Sequence, residues 1–388
     1  MTRSRIAWLA AGATLGLALV AVPTQAHHSI AAAFDETKTV SLKGTVTKWE
    51  WLNPHVYLFM DVAGTGGRTT NWAIEYDGTL ELRRVGWRRD LVKVGDVVSI
   101  EGIRARDGAN RASGRALILV DGKRLAAAPR DMKMAPARAG AAKATPRWPD
   151  GHPRLGPGPG ERGYWADPNP AGLYESSAGN LRMNSEGLLA NIADVAKVAP
   201  FQPWAKALYE YRQKNMLRDD PMAFCLPPGG PRQFQDHYGI QIFEQIERKR
   251  VFVLSGGGNR NWRIIDTDGR AIPNPDDVTP TFYGYSTGKW EGDTFVIQST
   301  AYNERFWFSN GGLPHSENLK MTERISRPDF NTLKYEVTVD DPQTYTRPWT
   351  GGWTLQWVPD ADVDEYFCDD NNKETEHLSG KHEAAPSN

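Results

Sequence analysis

Two glutamates fall where the strand pattern asks for apolar side chains. In "NLKMTERI" the alternate positions Leu319, Met321 and Ile325 form one row, and Glu323 takes the remaining place in it. In "GIQIFEQI" the row is Ile240, Ile242 and Ile246, with Glu244 among them. A carboxylate turned toward an apolar face is costly unless it is paired, hydrogen-bonded or put to use. Burial raises its pKa, which suits a general acid or base. His315, in "PHSEN", lies in the loop leading to the Glu323 strand and adds an imidazole. Together Glu244, Glu323 and His315 predict acid/base chemistry of isomerase, lyase or hydrolase type, with no organic cofactor. The structural alternative is an internal ion pair between either glutamate and an arginine, with His315 capping a turn.

The same loop carries Arg305 and Trp307 in "NERFWFSNGG", while Tyr283 and Tyr285 share one face of "FYGYSTGKW". A cation, an aromatic plate and an imidazole at the mouth of a barrel would face a small apolar or aromatic molecule. The competing reading makes these aromatic side chains packing.

A third group is histidine. The chain opens with Arg3 and Arg5, continues with an uncharged apolar run from Ile6 to Val22, and reaches a small residue at Ala26. That is the order of a secretory signal peptide over residues 1–26, and cutting after Ala26 would leave His27 as the first residue. A free amine and its own imidazole chelate a metal, and His28 or His55 would complete a nitrogen set suited to copper. This arrangement resembles the histidine brace of copper monooxygenases and copper carriers. The plainer reading is an exposed tail, with His55 fixing a turn after Asn53-Pro54.

The rest of the chain must position these residues. The roughly 360 residues after Ala26 fit two domains of about 100–200 residues each. A net charge of −1 removes bulk electrostatics as a reason to expect nucleic acid. No second apolar stretch of spanning length follows, so no stable membrane insertion is expected after signal cleavage, and the mature chain is expected in the periplasm or outside the cell. The two cysteines, Cys225 and Cys368, pair most simply as a disulfide in such a compartment.

Short strands separated by turn signals fill residues 27–125, with the one helical stretch "GTLELRRVGW" before the fourth strand. That order predicts a small OB-like barrel, or else a small sandwich. Residues 126–163 are rich in Ala, Pro, Gly and Arg and read as a linker. From 164 to 376 two helical patterns, "EGLLANIADVAKV" and "PWAKALYEYRQKNM", lead into about nine strands joined by tight turns. This region predicts a lipocalin-like antiparallel barrel able to enclose one small ligand. Residues 377–388 read as a disordered tail. The fold class is therefore mainly β.

The segments "HHSIAAAFD", "LKGTVTKWEWLNPHVYLFMDV", "NWAIEY", "LRRVGW" and "VGDVVSIEG" resemble a family of exported bacterial proteins of unknown function. The run "YGYSTGKWEGDTFVIQSTAYNERFWFSNGGLPHSENLKMTERI", with "CLPPG" before it and "TRPW" after it, resembles a second group of uncharacterised exported bacterial proteins. Both resemblances imply export and separate domains; neither implies an activity. The sequence therefore predicts an exported small-molecule-binding protein, with a periplasmic copper protein as the alternative.

Overall fold

The computed structural model describes residues 30–127, 143–166, 181–184, 187–235, 238–257, 261–363, 365–368 and 370. His27, His28, the apolar leader and the tail from 371 lie outside the described residues. No helix among the described residues is long and apolar enough to cross a membrane.

The N-terminal unit begins with one helical turn, α1 (Ile30–Ala33), and a 17-residue strand, β1 (Phe34–Glu50). Two register shifts let β1 serve two neighbours. Its second half pairs with β2 (Val56–Ala63) and its first half with β4 (Val97–Ala105). β3 (Thr69–Tyr76) follows β2, α2 (Thr79–Arg84) intervenes, and β5 (Arg111–Ile118) pairs antiparallel with β4. A short parallel pairing of β5 with β3 closes the ring in the order β1-β2-β3-β5-β4. This is the OB arrangement that the sequence predicts, with β6 (Arg124–Ala126) added at the edge. Alternation turns Val56, Leu58 and Met60 inward against Trp72, Ile74 and Trp87. Gly114 belongs in this core because a Cβ there would stand 2.0 Å from the Tyr76 ring.

The larger unit is a closed nine-stranded barrel. Its strands are β7 (Gly163–Ala166), β8 (Ile240–Gln245), β9 (Arg250–Ser255), β10 (Trp262–Asp266), β11 (Tyr285–Glu291), β12 (Thr294–Thr300), β13 (Lys320–Asp329), β14 (Thr332–Asp340) and β15 (Trp349–Pro359). Neighbours in sequence are neighbours in space, and β15 returns to β7. All pairings are antiparallel except β10 with β11, where a long connection brings the chain back in the same direction. The lipocalin-like prediction thus holds in its closure and its meander.

Three predicted elements differ. In "EGLLANIADVAKV" only a 3-10 turn and the single turn α3 (Val195–Val198) form, whereas "PWAKALYEYRQKNM" gives the full helix α4 (Pro203–Lys214). The last of the nine short runs expected as strands, "DEYFC", does not join the barrel: residues 365–368 form a strap, and the ninth strand is β7. Residues 143–163, expected as part of a linker, are held against the barrel. Arg147 makes a two-pronged ion pair with Asp293, Thr145 donates to the Arg327 carbonyl, Leu155 joins the core and His152 stacks on Trp290. A few large side chains anchor the segment, which an average over its small residues conceals.

The two units touch. Arg84 of α2 donates to the Tyr164 hydroxyl, and Asn53 donates to the Glu365 carbonyl on the strap. The strap is fixed in turn by Tyr366 packing on Tyr238 and by the disulfide Cys225–Cys368, as expected for that pair.

Candidate functional site

Strand alternation carries Glu323 to the centre of the barrel, where its side chain is fully buried. From three strands along the wall comes Arg263, which alternates with Ile265 on β10. Arg263 Nη1 lies 2.9 Å from Glu323 Oε1, and Nη2 lies 2.5 Å from Oε2. Its remaining donors reach the hydroxyls of Ser286 and Ser299, and Tyr335 donates to Glu323 Oε1 at 2.7 Å. Burial works against the Arg263 charge, yet the adjoining carboxylate outweighs it and the guanidinium is held more firmly protonated than usual. This is a bidentate pair with its lone pairs and protons answered inside the fold. Above it, the buried 3-10 run Gly230–Gln235 inserts Phe234, which stacks on Tyr335 with ring centres 4.3 Å apart.

Glu244 and His315 lie elsewhere. Glu244 stands at the rim held by residues 143–163, accepting from Trp148 Nε1 and from the backbone N–H groups of Leu155 and Gly156. Burial raises its pKa, and these three donors act the other way. His315 is buried beneath Phe306, with Nε2 3.1 Å from the Phe306 carbonyl and Nδ1 3.3 Å from that of Ser316. Burial lowers its pKa to about 4, so at neutral pH the ring is uncharged and donates to one carbonyl only. No hydrogen bond or ion pair joins any two of Glu244, Glu323 and His315.

The expected ligand-facing residues also separate. Arg305 is exposed above the Phe282 ring. Trp307 is buried, with the Arg212 guanidinium 4.6 Å from its ring centre. Tyr283 and Tyr285 are half-buried at the start of β11. The loop from 306 to 316 is thus largely part of the packed interior.

In the smaller unit His55 is buried directly after Asn53-Pro54. Its Nδ1 lies 2.9 Å from Glu75 Oε1, while Tyr57 donates to Glu75 Oε2 at 3.2 Å. No group of three or more His, Cys, Asp or Glu side chains is placed to hold a metal among the described residues.

Sequence reasoning missed an open groove of about 520 Å³ on the outer wall of β12–β15. Register places Thr294, Ser326, Lys334 and Thr354 in one row across the four strands. The next row contains Arg324, Glu336 and Gly352. Gly352 is required, because a Cβ would stand 2.3 Å from the Tyr335 carbonyl oxygen, and it leaves the backbone bare on the outer face; the next residue, Trp353, turns inward, where it packs on Tyr335 and donates to the Phe234 carbonyl. Arg324 pairs with Glu291 at 3.1 Å, whereas Lys334 and Glu336 form no ion pair. The available signal was "TGGWT", two glycines followed by an aromatic inside a strand. Arg263 was missed too, although its alternation with Ile265 is the pattern that exposed Glu323.

Comparison with known proteins adds one relation. No curated protein and no solved structure matches the chain. Residues 14–114, covering most of the small barrel, match a family described as a family of unknown function, DUF6152.

Proposed function

We propose that this is an exported small-molecule-binding protein, periplasmic or secreted, whose ligand lies in the outer groove of the larger barrel. The observation that carries this reading is the groove itself: about 520 Å³, with bare backbone at Gly352 and a rim of hydroxyls and charges. Its size is that of an ordinary ligand pocket, and the polar groups around it would fix a ligand's orientation. The ligand's apolar or aromatic part then rests on the bare backbone at Gly352, because the Trp353 ring lies on the other face of the sheet. The carboxylates at Glu244 and Glu323 support binding only indirectly, by holding the wall in shape.

N-phenyl-1-naphthylamine and a panel of aromatic carboxylic acids test the reading by fluorescence titration. Saturable binding of at least one carboxylic acid, weakened about tenfold or more in Arg324→Ala/Lys334→Ala, is expected. The reading fails if no probe saturates, or if the double variant binds as the parent does while remaining folded.

A second reading, a copper protein, is favoured by one contact. A carboxylate behind a histidine orients the ring and fixes which nitrogen meets a metal, and Glu75 stands in that relation to His55. His27 and His28 would supply the other nitrogens in a chain processed after Ala26. Mass spectrometry of the mature N-terminus, then copper titration of His27→Ala and His55→Ala, tests it; a mature chain starting elsewhere ends this reading.

A further inference from the structure

The wall of the large barrel has a second outer side that the groove does not use. On β8, β9 and β10 the outward positions fall in register: Phe243 lies beside Phe252 and Phe252 beside Ile264, while two residues along Leu254 lies beside Trp262. Trp262 is 62% exposed, Phe243 45% and Ile264 38%, with Phe252 and Leu254 half-buried between them. A solvated sheet face normally turns polar residues outward, as β13 and β14 do with Arg324, Ser326, Lys334 and Glu336. Here five neighbouring outward positions are apolar. A whole aromatic side chain presents about 150–250 Å², so these fractions amount to roughly 400 Å² of contiguous apolar surface. An interface about 60% apolar and centred on it would bury about 700 Å² per partner, the size of a standard specific contact.

The border of this face selects its occupant. At one end Arg250 pairs with Asp266 at 2.9 Å, and Arg270 pairs with Asp266 and Asp268. At the other, Gln241 donates to Asp362, which Arg162 approaches at 3.9 Å. The turn between β8 and β9 adds Glu247, Arg248 and Lys249, so five cations stand against four carboxylates and neither sign dominates. An anionic membrane selects an excess of basic residues, and a charged partner selects an excess of the opposite sign. Two identical faces meeting about a two-fold axis need the reverse, since any excess of one sign would face its own copy. Strand addition is blocked as well, because the ring is closed and Gly156 lies so near β8 that a Cβ there would stand 2.1 Å from the Ile242 carbonyl oxygen. We propose that the outer face of β8–β10 is the interface of a homodimer, two copies packed face to face with Phe243 and Trp262 in the contact. β9 lies across the ring from β13 and β14, so the grooves of the two copies point outward and stay open.

Sedimentation equilibrium of the full chain at up to about 200 µM tests the proposal, and a monomer–dimer equilibrium with a micromolar midpoint is expected. Phe243→Ser/Trp262→Ser should raise the dissociation constant about tenfold or more, and Ile264→Glu should do so alone. These side chains face solvent in the single copy, so both variants keep a cooperative unfolding transition. Lys334→Ala, on the far wall, should leave the dimer as it is. A chain that stays monomeric at the highest concentration, or a dimer that neither variant weakens, overturns the proposal. A monomer that co-sediments with phosphatidylglycerol vesicles, and loses that binding in the same variants, overturns it in favour of a membrane surface.

Discussion

The two faces of strands β12–β15 handle charge in opposite ways. On the inner face Glu323 meets Arg263, Tyr335 and Ser299 within hydrogen-bonding distance. On the outer face, a single residue away along β13 and β14, Arg324 makes one exposed ion pair while Lys334 and Glu336 make none. Water answers the outer charges, whereas the inner ones have only the protein. A charged residue on a strand is therefore evidence of structure or of binding depending on which way alternation turns it.

The largest test of that contrast removes one inner partner. Glu323→Ala should cost about 3–5 kcal/mol in urea unfolding, because Arg263 is left charged in the core. The double variant Arg263→Met/Glu323→Leu should recover most of the loss, since an apolar pair asks for no compensation. A single variant within about 0.5 kcal/mol of the parent would erase the contrast.

His315 supplies the next test, through pH. Its folded pKa of about 4 lies below the ordinary 6.5. Between those values the unfolded chain binds a proton that the folded chain does not. The stability linked to His315 is thus complete above pH 6.5 and drains away as pH falls toward 4. Unfolding curves of His315→Gln should show a flatter dependence over that window, though other groups keep some slope.

The smallest effect belongs outside. Lys334→Ala and Glu336→Ala should each shift stability by less than about 0.5 kcal/mol, read by the same urea titration. A larger loss would mean that the outer rows are structural and would count against their role in binding.

Period-two reasoning reached a good part of this. It put Glu323 among apolar residues correctly, and it would have put Arg263 there had the same test been applied to "NWRIID". What it could not supply was the partner, since the two residues, 60 apart in sequence, meet only when β10 through β13 assemble side by side. Glu244 followed the rule as far as Ile242, but Ile246 leaves the strand for an exposed turn. Its hydrogen-bonding partners come from a segment whose composition hides Trp148 and Leu155. The OB order was legible because turn signals and one helix fix it locally. The groove was not, because a bare patch is made by missing side chains on β15 next to rows contributed by three other strands.

The Cys225–Cys368 bond, 143 residues apart in sequence, has a mechanical consequence. It encloses β8 through β15 in one covalent ring and leaves β7 outside. A load applied to the tail beyond Cys368 passes straight across to Cys225 and on toward α4, so eight of the nine strands carry none of it. Tension between the two ends of the chain falls on the small barrel, β7 and α4, while the ring and the polar wall it contains stay shut.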